Sequence, residues 1–234
     1  MIVSHRYRFI FLKTKKTAGT SIEVLLSQYC DDDDIVTKVF PAEENHKPRN
    51  WKGRSNLISD LNKLSSRWHR SLCRRWLSGE KYFNHMPADL VRHRVGEDIW
   101  QNYFKFTVER HPLEKTKSHF LMQRARSGNR LTLEEYFQRG RFCTNFPIYT
   151  DYGKNIAVDK VLSFERLSAD LQETLLHLGI NEPHQELPRA KTSYRKNAEH
   201  DPIHFSDAQL NTLSEAFRWE IDQFGYELWE QTGA

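Results

Sequence analysis

YRFIFLKTKKTAGTSIEVLL, residues 7–26, is the stretch of sequence that decides the fold. Residues 7–12 form a continuous aromatic and branched run, which is typical of a strand buried on both faces of a parallel sheet. Ile22, Leu25 and Leu26 recur at helical spacing and predict a helix after a short polar turn. A strand, a turn and a helix in this order form the repeating unit of α/β folds.

The same alternation of strands and helices continues along the chain. Three further apolar runs predict strands, at residues 35–40, 104–108 and 161–164. Pro112 is predicted to begin one helix, Gly179 to follow the end of another, and Ser206 to cap the last. The pattern predicts an α/β, P-loop-like three-layer fold with a central, mainly parallel sheet flanked by helices.

Size and composition favour a folded domain. The chain has 234 residues, 38% of them hydrophobic, which excludes an intrinsically disordered protein. We predict a single domain over residues 1–234, with a basic helical insertion at about residues 41–80. Three widely spaced cysteines argue against a disulfide framework or a zinc cluster. The sequence predicts neither a signal peptide nor a membrane helix of roughly 18 apolar residues, so we expect a soluble, cytoplasmic protein.

Charge is distributed unevenly along the chain. Residues 46–76 contain nine lysines and arginines against one acid, Asp60, whereas residues 199–234 contain eight acids and one cation, Arg218. Apolar residues at helical spacing within residues 56–76 predict a basic amphipathic helix. The simplest interpretation is a helix packed on the core with a solvated cationic face, and the alternative is a surface for an anionic partner.

The polar turn at residues 13–21 has the composition of an anion-binding loop. Lys16 supplies a charge, while Ala18 and Gly19 are small enough for backbone N–H groups to approach an anion closely. Three hydroxyl side chains add donors: Thr17, Thr20 and Ser21. The alternative is a lysine-rich turn that only caps a helix. Lys16 precedes the glycine, whereas a Walker loop has its lysine after the second glycine, which argues against a P-loop kinase.

A second anion-binding element is predicted around Arg110. This arginine ends a predicted strand, and Ser118 lies about two turns into the following helix, so that both side chains can face one ligand. A guanidinium group binds a terminal phosphate through two parallel hydrogen bonds, which lysine cannot match. Taken alone, an arginine at a strand end is more simply a cap of the sheet edge.

Together these elements resemble the nucleotide-binding elements of the PAPS-dependent sulfotransferases, in the carbohydrate-type branch that includes heparan sulfate 2-O-sulfotransferase. Residues 16–21 resemble the 5′-phosphosulfate loop, with Lys15 where that branch has proline. The run through Arg110 to Ser118 resembles the element that holds the 3′-phosphate, with His111 in place of asparagine. The resemblance implies PAPS as sulfuryl donor, PAP as product, and no requirement for a metal.

The resemblance also implies roles for residues outside these two elements. Lys191 and Ser193 match a basic loop that closes over the nucleotide in that family. His85, at a predicted strand-to-helix edge, matches its catalytic histidine and would act as a base beside the catalytic Lys16. A base needs a pKa near neutrality and reach to the acceptor hydroxyl. Two carboxylates are alternatives for this role, Glu80 and Glu109.

The acceptor is predicted to be a hydroxyl-bearing molecule, either a saccharide or another anionic or polar compound. The cationic helix and its tryptophans suit stacking on sugars and pairing with acidic groups, and the tryptophans concerned are Trp51, Trp68 and Trp76. We expect no nucleic-acid partner. The alternatives from other classes are a nucleic-acid or polyanion-binding module that uses residues 56–76, and a P-loop kinase.

Overall fold

The computed structural model describes residues 1–181 and 203–228. In these ranges the strands are β1 (Ile2–Ser4), β2 (Phe9–Phe11), β3 (Ile35–Val36), β4 (Phe104–Glu109), β5 (Thr150–Asp151), β6 (Asn155–Ile156) and β7 (Lys160–Ser163). The α-helices are α1 (Gly19–Ser27), α2 (Leu57–Leu61), α3 (Ser66–Leu77), α4 (Ala88–Val95), α5 (Glu97–Asn102), α6 (Pro112–Arg126), α7 (Leu133–Gln138), α8 (Phe146–Tyr149), α9 (Leu167–His177), α10 (Asp207–Ala216) and α11 (Arg218–Phe224). Among the helices of these two ranges, none is long and apolar enough to span a membrane.

Five strands form the central sheet, in the spatial order β3–β1–β2–β4–β7. The pairs β2–β4 and β4–β7 are parallel, whereas β1 is antiparallel to both of its neighbours. Four of the five strands therefore run in the same direction. This confirms the predicted α/β architecture with a mostly parallel sheet and flanking helices. β5 and β6 form a separate antiparallel hairpin.

Each face of the sheet carries its own apolar cluster, because successive side chains of a strand point to opposite faces. Phe9 and Phe11 of β2 pack with α1 and α9 on one face. Ile10 and Leu12 pack on the other face with α4 and with Leu72 of α3. β2 is thus buried on both faces, as its continuous apolar run predicts, and it carries the polar turn at the centre of the sheet.

Two predicted strands differ from the observed ones. The N-terminal residues form a β-hairpin rather than one strand, with Val3 of β1 opposite Ile10 of β2. The strand predicted at residues 35–40 ends at Val36, and Phe40 is 86% exposed. Phe40 also precedes a proline, which has no backbone N–H to donate to a neighbouring strand.

The helix ends follow the predicted signals more closely. Pro112 begins α6, Ser206 caps α10 by accepting a hydrogen bond from the backbone of Gln209, and Gly179 follows α9. The predicted basic helix is in fact two helices, α2 and α3. Ser65 has an extended backbone between them, and it occupies the N-cap position of α3. An extended residue cannot continue a helix, so α3 begins anew after Ser65.

A buried ion pair anchors the basic segment to the rest of the chain. Asp60 of α2 and Arg94 of α4 are 1% and 2% exposed, and their Oδ2 and Nη2 atoms are 2.8 Å apart. The Asp60 carboxylate also accepts a hydrogen bond from the Ser55 hydroxyl. Charges buried this deeply are tolerated only when they are paired.

We expect Arg94→Ala to lower the free energy of unfolding by about 3–5 kcal/mol, because it leaves the Asp60 carboxylate buried without its partner. The measurement is urea denaturation followed by circular dichroism. Arg92→Ala is the matched control, because Arg92 lies on the same helix as Arg94. It breaks only an exposed pair with Glu97 of α5, so the free energy of unfolding should change little. Equal small effects of the two substitutions would contradict the anchoring role.

Candidate functional site

The two predicted anion-binding elements meet at one edge of the central sheet. β2, β4 and β7 are parallel neighbours, so their carboxyl ends share the edge at which α/β proteins usually bind ligands. The polar turn follows β2, Arg110 follows β4, and Phe164 follows β7. The Arg110 guanidinium lies 4.2 Å from the Phe164 ring centroid, and its Nη1 lies 3.5 Å from the carbonyl oxygen of Lys16.

The backbone of the polar turn contains two residues in the left-handed conformation. Lys16 and Ala18 both adopt the left-handed conformation, with φ of 62° and 56°, and Ala18 is the N-cap of α1. Such turns gather backbone N–H groups into a concave surface that attracts anions. The first N–H groups of α1 have no acceptor within the helix and add to this surface. Thr20 and Ser21, two predicted contacts, lie in that first turn and are buried.

Gly19 allows the turn to close tightly against Lys13. A Cβ atom at this position would lie 2.7 Å from Cγ of Lys13, well inside van der Waals contact. The Lys13 ammonium is itself buried and pairs with the Glu23 carboxylate of α1. The Lys13 ammonium thus has a partner within the fold, and the side chain of Lys16 is partly exposed.

The hydroxyl of Thr17 stabilises the turn from inside. It lies 2.8 Å from the Thr14 hydroxyl, which donates to the carbonyl oxygen of Val108 in β4. Thr17 is 1% exposed. Its side chain thus links the turn to the neighbouring strand, whereas the sequence analysis assigns it to the ligand.

Asn145 holds the turn from the other side, and the sequence analysis missed it. Its amide accepts a hydrogen bond from the backbone N–H of Lys15 and donates to the carbonyl oxygen of Lys15, both at 2.9 Å. The backbone immediately before Lys16 is therefore fixed by one fully buried side chain. No sequence signal could identify this contact, because the two residues are 130 positions apart.

Beneath Asn145 lies a buried polar cluster that contains Glu109, a predicted alternative base. The Glu109 carboxylate accepts hydrogen bonds from Lys115 at 2.7 Å and from the Tyr149 hydroxyl at 2.9 Å. It is 1% exposed. Burial, together with the nearby Glu109 charge, raises the pKa of Glu220 in the same cluster. The Glu109 carboxylate is therefore buried and held by these two partners.

Arg110 and Ser118 lie along one side of α6. The guanidinium of Arg110 is 7% exposed and contacts the Glu114 carboxylate, with 3.2 Å between Nη2 and Oε2. Ser118 is one helical turn beyond Glu114, and residues four apart share a helix face. That Arg110 and Ser118 bind one ligand together stays a prediction.

His119, next to Ser118, was not identified from the sequence. Burial, and then the charges of Lys16 and Lys15, lower its pKa to about 4. Its Nδ1 lies 2.9 Å from the Tyr136 hydroxyl.

His85 is joined to the beginning of the polar turn. Its backbone is left-handed, with φ of 62°, and its Nδ1–H donates to the carbonyl oxygen of Lys13 at 2.9 Å. Because Nδ1 carries the proton, Nε2 holds the lone pair. Burial, and then the charge of Lys13, lower the pKa of His85 to about 3. The ring is therefore neutral at pH 7, but its pKa is not the near-neutral value that the sequence analysis required.

Glu80, the other alternative base, is occupied by two cations. Its carboxylate pairs with Lys38 at 2.7 Å and with Arg75 of α3. Burial alone would raise the pKa of Glu80, but these two partners lower it. Because Arg75 pairs with Glu80, it is only partly exposed, whereas Arg70 and Arg74 of α3 are exposed to solvent.

Two predicted contacts, Lys191 and Ser193, lie outside the described residues. Within residues 1–181 and 203–228, no group of three or more histidine, cysteine or carboxylate side chains is arranged to hold a metal ion. The positioned groups of the site are thus cationic side chains, hydroxyls, backbone amides and one histidine.

Comparisons with known proteins identify one relative. No family model matches the sequence, and no solved structure matches it. An uncharacterized protein of Archaeoglobus fulgidus is 31% identical over 102 residues. This alignment covers 42% of the present chain and 85% of the archaeal protein. The chain therefore belongs to the same family as this Archaeoglobus fulgidus protein.

Proposed function

We propose that this protein transfers a sulfuryl group from PAPS to a hydroxyl group of an acceptor. The observation that supports the proposal best is the convergence of two distant segments on the polar turn. Arg110 lies 3.5 Å from the carbonyl oxygen of Lys16, and His85 lies 2.9 Å from that of Lys13. PAPS has two anionic groups on one ribose, so a protein that binds it needs two neighbouring anion sites. Transfer to a hydroxyl also needs a base beside one of these sites.

The charges around the turn fit such a donor. Lys13 pairs with Glu23, and Lys115 pairs with Glu109, so each of these buried charges has a partner within the fold. Lys16, Lys15 and Arg110 place positive charge at the polar turn, close to the positive end of α1. A nucleotide with a 5′-phosphosulfate and a 3′-phosphate complements this arrangement.

The mechanism then depends mainly on positioning and charge stabilisation, as in phosphoryl transfer through a loose, in-line transition state. Bound PAPS supplies the sulfuryl group. Lys16 stabilises the electron pair that stays on the bridging oxygen when its bond to sulfur breaks. Nε2 of His85 accepts the proton of the acceptor hydroxyl as the new sulfur–oxygen bond forms.

The phosphates are held by groups on either side of Lys16. Thr20, Ser21 and the first N–H groups of α1 bind the 5′-phosphate. Arg110 and Ser118 bind the 3′-phosphate, which is the group that distinguishes PAP from AMP.

Calorimetric titration with PAP and with AMP tests this assignment. We expect PAP to bind more tightly than AMP. Arg110→Ala should lower the affinity for PAP about 10- to 100-fold, the range for a charge-assisted hydrogen bond. AMP binding should not change. Arg166→Ala is the matched control, because this exposed arginine lies outside the site. If PAP binds no better than AMP to the unaltered protein, the proposed function is wrong.

The same titrations separate the alternative functions. A P-loop kinase would prefer ATP with Mg²⁺ over PAP. A nucleic-acid-binding module would bind duplex or single-stranded DNA through Arg70 and Arg74, and its affinity would fall steeply with salt. Neither behaviour is expected here.

A further inference from the structure

Exposed apolar side chains are concentrated in one part of the chain. Among residues 1–181 and 203–228, five large apolar side chains are strongly exposed, and three of them lie within residues 40–77. They are Phe40 at 86%, Ile58 at 74% and Leu77 at 78%. A single exposed apolar side chain needs no explanation, whereas a group of them on one surface marks a site of interaction.

Ile58 is held near Leu77 by a contact between the two parts of the basic segment. Leu77 is the last residue of α3. The residue before it, Trp76, donates its indole N–H to the carbonyl oxygen of Ser55 at 2.9 Å. Ser55 precedes Ile58 by three residues, and three residues span at most about 11 Å. The start of α2 therefore lies beside the end of α3.

Phe40 is held near the same end of α3 by Glu80. Glu80 follows Leu77 by three residues and pairs with the Lys38 ammonium at 2.7 Å. Lys38 precedes Phe40 by two residues, which span at most about 7 Å. The three exposed apolar side chains thus lie around the C-terminal end of α3, although they come from three separate parts of the sequence.

The surface around these side chains is cationic. Residues 50–78 contain one carboxylate, Asp60, and it is buried in its pair with Arg94. Five lysines and arginines of the same range are exposed to solvent: Lys52, Arg54, Lys63, Arg70 and Arg74. Positive charge therefore dominates this surface, without an exposed carboxylate from residues 50–78.

The cations and the apolar side chains are interleaved on α3. Arg70, Arg74 and Leu77 are spaced by four and three residues, so they form one stripe along the helix. All three are exposed. Arg54 extends the stripe beyond the helix end, since its guanidinium lies 5.6 Å from the Trp76 ring centroid. We call the exposed side chains of residues 38–77 the basic apolar surface.

This combination of groups selects among the possible partners. A nucleic acid matches the charge but offers no apolar phase for the exposed isoleucine and leucine. A second copy of the chain, bound symmetrically, would set one cationic surface against another. An anionic membrane matches both properties, because its headgroups attract lysine and arginine while the boundary with its acyl chains accepts apolar side chains.

We propose that the basic apolar surface binds the protein peripherally to an anionic membrane. Phe40, Ile58 and Leu77 enter the boundary between headgroups and acyl chains, and the surrounding lysines and arginines pair with lipid phosphates. The proposal goes beyond the proposed function and is independent of it, since none of these residues is assigned to the nucleotide site.

Co-sedimentation of the full chain with lipid vesicles tests the proposal. The vesicles consist of phosphatidylcholine alone or of equal parts phosphatidylcholine and phosphatidylglycerol. We expect binding only to the anionic vesicles, and weaker binding at higher salt. Leu77→Ser should lower the affinity about tenfold, as expected for one buried apolar side chain. Arg70→Ser combined with Arg74→Ser should lower it about 10- to 30-fold, at roughly fivefold for each arginine.

Each variant has a control on another part of the chain. Leu176→Ser matches Leu77→Ser, because Leu176 is a 54% exposed helical leucine on α9, which packs against the opposite face of the sheet from α3. Arg130→Ser combined with Arg218→Ser removes the same charge from two exposed positions outside the basic segment. Both controls should leave the affinity for anionic vesicles unchanged, and circular dichroism shows that every variant is folded.

Four results would each overturn the membrane proposal. Two concern the vesicles: binding to neither kind or equally to both, and equal losses of affinity in the variants and their controls. A third is duplex DNA that binds more tightly than anionic vesicles and is insensitive to Leu77→Ser, which would identify a nucleic-acid surface. The fourth is a lipid-free dimer that Leu77→Ser dissociates, which would assign the surface to a second copy of the chain.

Discussion

Lys16→Ala is expected to lower the rate of sulfuryl transfer by about two to four powers of ten, the usual scale for a charge placed on a developing anion. The reason is local. Lys13 is buried and paired with Glu23, so it cannot replace the lost ammonium. Alanine already occupies the left-handed position 18, which shows that the turn accepts this side chain at positive φ. Turnover of PAPS with a hydroxyl acceptor is the measurement.

Lys15→Ala is the matched control for this substitution. It removes a neighbouring lysine with the same charge, while the backbone of residue 15 stays bonded to Asn145. We expect a much smaller loss of turnover than in Lys16→Ala, with equal thermal midpoints for the two variants. Retained turnover in Lys16→Ala, or equal losses in both, would remove the catalytic role of Lys16.

Much of the fold could be predicted because it is encoded locally. The apolar run of β2 and the helical spacing in α1 lie within twenty residues, and Pro112 and Ser206 are signals that act within one turn of a helix. The N-terminal hairpin was missed because β1 has only three residues, and its pairing with β2 is not visible in so short a run. The break between α2 and α3 depends on Ser65, a residue that fits equally well on the polar face of one long helix.

Contacts between distant residues also limit what could be predicted of the candidate site. Lys16 and Arg110 follow strands that the sequence predicts, so their positions at the sheet edge could be anticipated. Asn145 could not, because its partner is 130 residues away. The surroundings of the carboxylates suggested as bases could not be predicted either. Whether Glu109 faces solvent or a buried lysine is decided by packing, and its nearest positive partner, Lys115, is predicted equally well on the outer face of a helix.

The tryptophans illustrate how tertiary structure selects among equivalent residues. Trp76 donates its indole N–H to the carbonyl oxygen of Ser55, and the Lys38 ammonium lies 4.8 Å from the Trp51 ring centroid. These contacts give Trp76 and Trp51 structural partners. Trp68 has no such contact among those described and lies instead beside a groove that also includes Asp89 and Tyr152. The sequence could suggest these rings for contact with a sugar, but it could not say which of them serve the fold.

His85→Asn separates the chemistry of His85 from its structural contact. Asparagine tolerates the positive φ of this position, and its amide N–H can still donate to the Lys13 carbonyl, but it cannot act as a base at neutral pH. We expect turnover to fall by about two to four powers of ten while PAP affinity stays the same. A loss of PAP affinity in parallel with turnover would mean that His85 only supports the turn. Unchanged turnover would exclude it as the base.

The pH dependence of stability gives His85 a second, independent readout. Its pKa is lowered from 6.5 to about 3 in the folded chain. The unfolded chain therefore binds the proton more readily, so the contribution of His85 to stability is complete above pH 6.5 and is lost progressively as the pH falls toward 3. His85→Asn should remove this part of the acid destabilisation, which urea titrations at several pH values would show as a flatter profile than that of the unaltered protein. An identical profile would mean that the imidazole is not held neutral beside Lys13. The same neutrality leaves Nε2 available as a proton acceptor throughout the range of pH in which turnover is measured, so the rate should not decline through titration of the free His85 between pH 8 and pH 5.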